Sequence, residues 1–158
     1  MDPLSITAAA GSLAAFCGKA ILGIRALKDS WNDAPRSLTS LAAECSTLRA
    51  SLVVLQTTMQ EQQNLMESVS SKPSYLELFG DDGMVTEAMN DIICSCSMGI
   101  SDLTREIAAI QSHTSSNGFL TLVGRAGFIV DESRLKDLAQ SLRGQSGALN
   151  TLQTVLQG

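Results

Sequence analysis

The sequence is poor in aromatic residues, in charge and in histidine. Aromatic residues make up 4% of the 158 residues and charged residues 17%, with one histidine, whereas the apolar set AVILMFWYC makes up 44%. A high apolar content with a low charged content excludes a disordered chain. The low aromatic content disfavours an aromatic-rich β protein. A core must be built from Leu, Ile, Val, Met and Ala. One domain over residues 1–158 should bury about 68–70% of the surface of the unfolded chain.

Basic residues are scarce as well. Lys and Arg number 11 against 16 Asp and Glu, which gives a net charge of −5, and no run of five basic residues occurs. Because binding to nucleic acid requires a basic surface, we expect no nucleic-acid partner.

The N-terminus lacks the features of an export signal. Asp2 is its only early charge, where a secretory signal has Lys or Arg. Lys19 ends the uncharged stretch before it reaches the roughly 20 apolar residues that cross a bilayer. We therefore expect a protein that is cytoplasmic at rest and has no constitutive transmembrane helix. In a reducing cytosol, its four cysteines should act as small buried side chains rather than form disulfides.

Apolar residues recur at steps of three and four in long segments, which is the spacing of amphipathic helices. The first predicted helix spans residues 5–31 and stops before Pro35, which can open the next helix at its first turn. The second helix has the most regular pattern, ended by residues 70–73, and residues 74–83 predict a loop with one helical turn at most. The stripe positions of the second helix are Leu38, Leu41, Cys45, Leu48, Leu52, Leu55, Met59, Gln62, Met66 and Val69.

Two further helices are predicted in the second half of the chain. Asp82 is the predicted N-cap of the third, which runs to about Ser112. Residues 113–118 predict a loop and residues 119–130 a short helix weakened by two glycines, after which Asp131 is the predicted cap of the last helix. The apolar stripe of the third helix is Val85, Met89, Ile92, Cys96, Ile100, Leu103, Ile107 and Ile110. That of the last is Leu135, Leu138, Leu142, Gln145, Leu149, Leu152 and Leu156.

These elements define an all-α fold. No alternating strand pattern and no fixed repeat appears in the sequence. We predict an antiparallel bundle of four long helices plus one or two short helical segments, since each helix has one apolar stripe that must be buried against the others. The predicted core includes Leu48, Leu52, Leu55, Ile92, Ile107, Leu138, Leu142 and Leu149.

Candidate catalytic and metal-binding residues are few. His113 stands alone in a loop of Ser, Thr and Asn, so we expect it to take no part in catalysis. Cys94 and Cys96 lie two apart in a helix and point about 200° apart, which is unsuitable for chelating one metal ion. We predict a protein that is not an enzyme and has no cofactor and no bound metal.

Two weaker motifs do not change that prediction. Six residues separate Gly11 from Gly18, where a phosphate-binding loop has four, and Ala20 replaces the Ser or Thr that would hold Mg²⁺. The carboxylates of residues 61–106 are spread along helices and a loop, which is typical of a solvated face rather than a cation site.

The first helix is unusual because it combines many small residues with isolated large ones. Small residues let helices approach closely, which fits a central helix enclosed by the other three. The same composition fits a helix that leaves the bundle and enters a membrane while Lys19, Arg25 and Lys28 stay at the headgroups. The candidate residues for membrane insertion or oligomerisation are Leu4, Ile6, Leu13, Phe16, Ile21, Leu22, Ile24 and Leu27.

Three stretches resemble the N-terminal domains of fungal STAND (NLR-like) proteins, which are related to the HeLo and HeLo-like group. They are the opening MDPLSIT, the segment LKDSWNDAPRSLTSLAAECSTLRASLVVLQ and the closing RAGFIVDESRLKDLAQSLRGQSGALNTLQTVLQ. The resemblance covers nearly the whole chain. It implies a helical bundle that triggers regulated cell death in heterokaryon incompatibility and defence.

The resemblance also implies a mechanism and partners. In that group the N-terminal apolar helix is thought to be released on oligomerisation and to permeabilise the plasma membrane. Members usually precede a nucleotide-binding module and a repeat sensor, so the expected partners are further copies of the chain, the plasma membrane on activation, and such modules or a partner NLR-like protein. One departure is the acidic balance of the chain, which gives little attraction to anionic lipids.

The residues leave two alternatives open. One is a non-lytic helical adaptor, or an autoinhibitory protein-interaction module, that recruits a partner through the surface of the bundle. The other is a small hydrolase with a Ser/Asp site. A liposome leakage assay separates a lytic domain from a scaffold.

Overall fold

The computed structural model describes residues 3–31, 34–68, 84–112 and 122–157. These ranges contain four helices, α1 (Pro3–Asp29), α2 (Arg36–Ser68), α3 (Met84–Gln111) and α4 (Leu122–Gln157), and no strand. The prediction of an all-α helical bundle is confirmed. The loop with one turn predicted in residues 74–83 lies outside the described residues.

Each helix packs mainly against two others. Helix α1 lies against α2 and α3, and α4 lies against the same two helices on the other side of the bundle. The order around the bundle is therefore α1, α2, α4, α3, and α2 and α3 occupy opposite corners.

Helices that follow one another in the chain alternate in direction. Gly11 of α1 lies against Gln56 and Gly18 against Arg49, so α1 and α2 are antiparallel. Helices α3 and α4 are antiparallel by the same criterion, through the contacts Gln145–Ser95 and Arg134–Glu106. Helices α2 and α4 run parallel, as shown by Ser37–Glu132 and Ser51–Asn150. The bundle thus alternates in direction along the chain but has parallel neighbours in space.

The core is one cluster with contributions from all four helices. Six of the eight predicted core residues are buried: Leu48, Leu52, Leu55, Ile107, Leu142 and Leu149. The other two, Ile92 and Leu138, are only partly buried and pack against the cluster. Ile93 takes the central place expected for Ile92, because Ile92 lies toward the edge between α3 and α4, where it lines a groove.

The turn between α1 and α2 is close to its prediction. Helix α1 ends at Asp29, two residues early, and Trp31 continues the buried surface beyond it. The Leu38 amide donates to the carbonyl of Pro35 at 3.1 Å, so Pro35 accepts a bond at the start of α2.

The start of α4 corrects the prediction. Residues 122–157 form one continuous helix, so Asp131 lies inside it and is not a cap. The prediction of a separate short helix over residues 119–130 is wrong, because residues 122–130 belong to α4. Gly124 and Gly127 each cost about 1 kcal/mol relative to alanine in a helix, but no proline interrupts the segment. Glu132 accepts a hydrogen bond from the Ser37 hydroxyl at 2.9 Å instead of occupying a first turn.

Candidate functional site: helix α1 and its surroundings

Helix α1 lies at a corner of the bundle and is not a central helix. Its main contacts are with α2 and α3, and its outer side faces solvent. The interpretation in which α1 is enclosed by the other three helices is therefore wrong. Small residues serve instead for close approach to two neighbours.

The structure divides the candidate insertion residues between the core and the surface. Phe16 and Leu22 are 50% and 64% exposed, and the side chain of Leu4 lies outside the described part of the chain. The remaining five are buried: Ile6, Leu13, Ile21, Ile24 and Leu27. The large residues of α1 are thus spread around the helix, and burial in the bundle leaves two of them in water.

Three glycines set how closely α1 approaches its neighbours. A Cβ at Gly11 would lie 2.7 Å from Nε2 of Gln56, and one at Gly23 would lie 3.3 Å from Cγ2 of Ile107. The carbonyl of Gly23 also accepts a hydrogen bond from Nε2 of Gln111 at 2.9 Å. At Gly18 the nearest group is the guanidinium of Arg49, 3.7 Å from the Cβ position.

The charges of α1 take no part in ion pairs within the described residues. The ammonium of Lys19 lies 5.5 Å from the centroid of the Phe16 ring, a cation–π contact on the outer side of the helix. The four ion pairs of the described chain involve only α2, α3 and α4. Apolar packing therefore contributes most of the attachment of α1.

The other three helices, hereafter the three-helix body, are joined by directional polar contacts. Glu44 of α2 accepts two hydrogen bonds from Arg143 of α4, at 2.6 and 2.9 Å, which raises the pKa of the guanidinium. The carbonyl of Ser51 accepts a bond from Gln153 at 2.6 Å. Glu106 of α3 pairs with Arg134 of α4 at 3.1 Å. These bonds fix the register of α2 and α3 on α4.

The exposed side of α2 is a surface that sequence reasoning missed. We call its part between the exposed charges Arg36 and Glu61 the α2 outer face, and its residues are Thr39, Ala43, Ser46, Ala50, Val53, Val54 and Thr57, all exposed and uncharged. Beside it a groove of about 410 Å³ runs between α1 and α2, lined by Ile21, Ser46, Arg49, Ala50, Val53 and Val54. The signal was present in the sequence, because between Arg36 and Glu61 the positions opposite the stripe carry Ala, Ser, Thr and Val, where a solvated helix normally carries Glu and Lys.

The buried cysteines are inert thiols. Burial raises the pKa of Cys17 to about 11 and the pKa values of Cys45 and Cys96 to about 12. Cys94 is exposed, and all four thiols are free. Among the described residues no group of His, Cys, Asp or Glu could hold a metal ion. His113 lies outside those residues.

Two helices are long and apolar enough to cross a membrane by length and composition. They are Ser5–Asp29 in α1 and Arg36–Glu61 in α2. The uncharged stretch before Lys19 is too short to cross a bilayer, but the longer segment of α1 that includes Lys19 is long enough, and α2 was not predicted as a candidate. Only 39% of each apolar window is buried in the bundle. A core helix of a soluble protein passes the same test, so this property is compatible with membrane association and does not establish it.

Comparisons with protein-family models, curated proteins and solved structures gave no match.

Proposed function

We propose that this chain is a regulated cell-death effector or signalling domain of a fungal NLR-like protein, and that it acts by oligomerisation and by membrane targeting through α1. It would be cytoplasmic at rest and reach the plasma membrane on activation, downstream of a nucleotide-binding and repeat module in the same or a partner protein. The observation that supports this most is the corner position of α1, which carries two large exposed apolar side chains and no ion pair to a described residue.

The energetics favour regulated release over spontaneous release. Burying a large aliphatic side chain contributes about 1.5–3 kcal/mol, so the five buried candidates of α1 contribute about 7–15 kcal/mol together. That is of the order of the whole stability of a domain, about 5–15 kcal/mol. Helix α1 therefore stays docked in water, and its release requires another apolar environment for those side chains. A lipid bilayer supplies one.

The charge distribution of α1 is also suited to a membrane. Residues 3–18 carry no charge, and the cations Lys19, Arg25 and Lys28 follow in the second half of the helix. Long basic side chains can extend to the headgroups while their apolar stems remain in the hydrocarbon. The uncharged part of α1 could then enter the bilayer with its N-terminal half leading.

Membrane insertion of α1 can be tested by placing a charge at a position of α1 that is exposed to solvent in the resting bundle. Leu22→Glu should leave the fold intact because the side chain is 64% exposed. A charge at the centre of an inserted helix costs about 2.5–3.5 kcal/mol, and Leu22, between Lys19 and Arg25, lies nearer the headgroups, where the cost is smaller. Dye release from liposomes of plasma-membrane composition and growth arrest in a fungal host should therefore fall severalfold.

Val155→Glu is the matched control, because Val155 is an exposed apolar residue of α4, 48% accessible. It should leave leakage and growth arrest unchanged, with helicity of both variants checked by circular dichroism. Wild-type leakage by a folded Leu22→Glu protein would refute insertion of α1. So would a wild-type protein that never leaks even when forced to oligomerise.

The second candidate, a non-lytic adaptor or autoinhibitory module, is favoured by the α2 outer face. That surface exposes Val53 and Val54 without a charge of its own, and it belongs to the three-helix body rather than to α1. In an adaptor, substitutions on this face abolish signalling while Leu22→Glu has no effect. The same pair of variants therefore separates the two functions.

A further inference from the structure

The α2 outer face and the outward face of α3 lie at opposite corners of the bundle, since α2 and α3 are the diagonal pair. We call the second surface the α3 outer face. Its residues are Glu87, Asp91, Cys94, Met98, Ser101, Asp102 and Arg105, of which all but the partly buried Asp102 are exposed. The two surfaces differ in charge and in shape.

Unpaired cations border the first surface. Arg49 lines the α1–α2 groove and lies against Gly18 of α1, and the exposed Arg25 follows Gly18 by two turns on the same side of α1. Neither cation makes an ion pair with a described residue, and no described carboxylate lines the groove.

Unpaired carboxylates characterise the second surface. Glu87 and Asp91 are exposed and have no ion-pair partner among the described residues, while Asp102 pairs with Arg105 at 3.3 Å within the same helix. Between these acids Met98 projects into solvent with 69% of its surface accessible. A flexible thioether of this kind adapts to irregular apolar grooves.

We propose that copies of this chain associate front to back, with Met98 of one copy seated in the α1–α2 groove of the next and its flanking carboxylates facing Arg25 and Arg49. This rests on the proposed function only for the requirement of self-association, and it adds the surfaces that carry it. Because the two surfaces differ, each added copy leaves one of each free. Such a contact continues past a dimer to a ring or a filament.

The composition of the α2 outer face favours a protein over a lipid surface as its occupant. Helices that lie in a membrane interface insert Trp, Phe or Leu and carry many cations on the other side. The α2 outer face offers Ala, Ser, Thr and Val, which are small and let another helix approach closely. The acidic surface that complements the bordering cations is present on the same molecule.

The first experiment uses Cys94, the one exposed thiol among the four, as a natural probe of the α3 outer face. In Ala50→Cys each copy carries one thiol on each surface. Oxidation with copper phenanthroline should give a ladder of dimers, trimers and larger species, and peptide mapping should show the introduced thiol joined to Cys94.

Two controls accompany the cross-linking. Ala50→Cys/Cys94→Ser should give no species larger than a dimer. Thr151→Cys, which places the new thiol at an exposed position of α4, should give no ladder. Cross-links that join Cys94 to Cys94, or a ladder equally strong from Thr151→Cys, would overturn the front-to-back contact.

The second experiment reverses the charges. Arg25→Glu/Arg49→Glu makes both surfaces acidic, and Glu87→Lys/Asp91→Lys makes both basic. In sedimentation at low salt each variant alone should self-associate about tenfold or more weakly than wild type, because like charges then face each other. An equimolar mixture should recover association, since each acidic surface meets a basic one. Circular dichroism confirms that both variants are folded.

The outcomes distinguish this contact from the proposed function. A wild-type chain that stays monomeric at low salt, or a mixture that fails to recover association, overturns the front-to-back contact whatever the toxicity assay shows. Binding of the monomer to phosphatidylserine vesicles, lost in Arg25→Glu/Arg49→Glu, would assign the surface to lipid and also overturn it. Assembly without leakage supports the contact and counts against the lytic function alone.

Discussion

Helix α1 and the three-helix body share one apolar core but differ in the polar contacts added to it. The body is also joined by ion pairs with defined partners, such as Glu44–Arg143 between α2 and α4 and Glu106–Arg134 between α3 and α4. The attachment of α1 is mainly apolar, through five large aliphatic side chains and closely packed glycines, with a hydrogen bond from Gln111 to the carbonyl of Gly23.

The difference matters because the two kinds of contact are replaced in different ways. A directional hydrogen bond is specific to its partner, and leaving a buried donor or acceptor unmade costs about 1–3 kcal/mol. Apolar burial is non-directional and can be recovered in lipid or against another protein. The docking of α1, which depends mainly on apolar burial, is therefore less tied to particular partner groups than the register of the three-helix body.

The largest expected effect is the loss of a body side chain. Leu52 is fully buried in α2, so Leu52→Ala should lower the free energy of unfolding by about 2–5 kcal/mol through lost burial and a residual cavity. The neighbouring Val53 is 43% exposed, and Val53→Ala should cost about 0.5 kcal/mol or less. Urea denaturation measures both. Equal costs for the two substitutions would contradict the assignment of Leu52 to the core.

The Leu52 prediction shows what periodicity can establish. A stripe at steps of three and four specifies which side of a helix is buried, and for α2 every described stripe residue from Leu38 to Met59 is buried. It leaves the choice of neighbours open, because one apolar stripe packs equally well on any other. For that reason the corner position of α1 and the parallel pair α2 and α4 could not be read from the sequence.

Two local errors have simple physical causes. Ile92 and Ile93 are both isoleucine, and only the rotation of α3 against α4 decides which of them points to the centre. Asp131 has the chemistry of a cap, but a cap is needed only where a helix begins, and the preceding residues continue the helix. The α2 outer face was missed because Arg36, Arg49 and Glu61 indicate a solvated side of α2, and small uncharged residues between them give no periodic signal.

The next effect concerns the thiols that lie between α1 and the body. Cys17 is in α1, Cys45 in α2 and Cys96 in α3, and burial raises the pKa of each above the value of an unfolded cysteine. Between the two pKa values the thiols of the folded state stay protonated while those of the unfolded state lose their protons. The contribution of the thiols to the free energy of unfolding is therefore fully present below about pH 8.5, and it falls by about 1 kcal/mol per thiol for each pH unit above that value.

Denaturation at pH 7.5 and 9.5 measures this slope. Cys45→Ala should reduce the loss of stability between the two pH values, whereas Cys94→Ala should leave it unchanged because Cys94 is exposed. An identical slope for both variants would show that the buried thiols do not limit stability at high pH.

A smaller effect compares a glycine of the body with one of α1. A Cβ at Gly144 of α4 meets no atom within 4 Å, so Gly144→Ala should stabilise the protein by about 0.5–1 kcal/mol through helix propensity. At Gly23 of α1 the new Cβ lies 3.3 Å from Cγ2 of Ile107, and the gain should be reduced or reversed. Thermal unfolding of the two variants measures the difference. A larger gain at Gly23 would mean that α1 is less tightly packed against α3 than the body is within itself.

The smallest expected effect tests whether the function lies in these two regions at all. His113 is the only histidine of the chain, and the described residues contain no group that could hold a metal ion with it. A general base also needs a positioned partner or substrate within hydrogen-bond reach. His113→Ala should therefore leave leakage, growth arrest and the free energy of unfolding unchanged. Loss of growth arrest in a folded His113→Ala protein would place the activity outside both α1 and the three-helix body, and would make the hydrolase alternative the leading hypothesis.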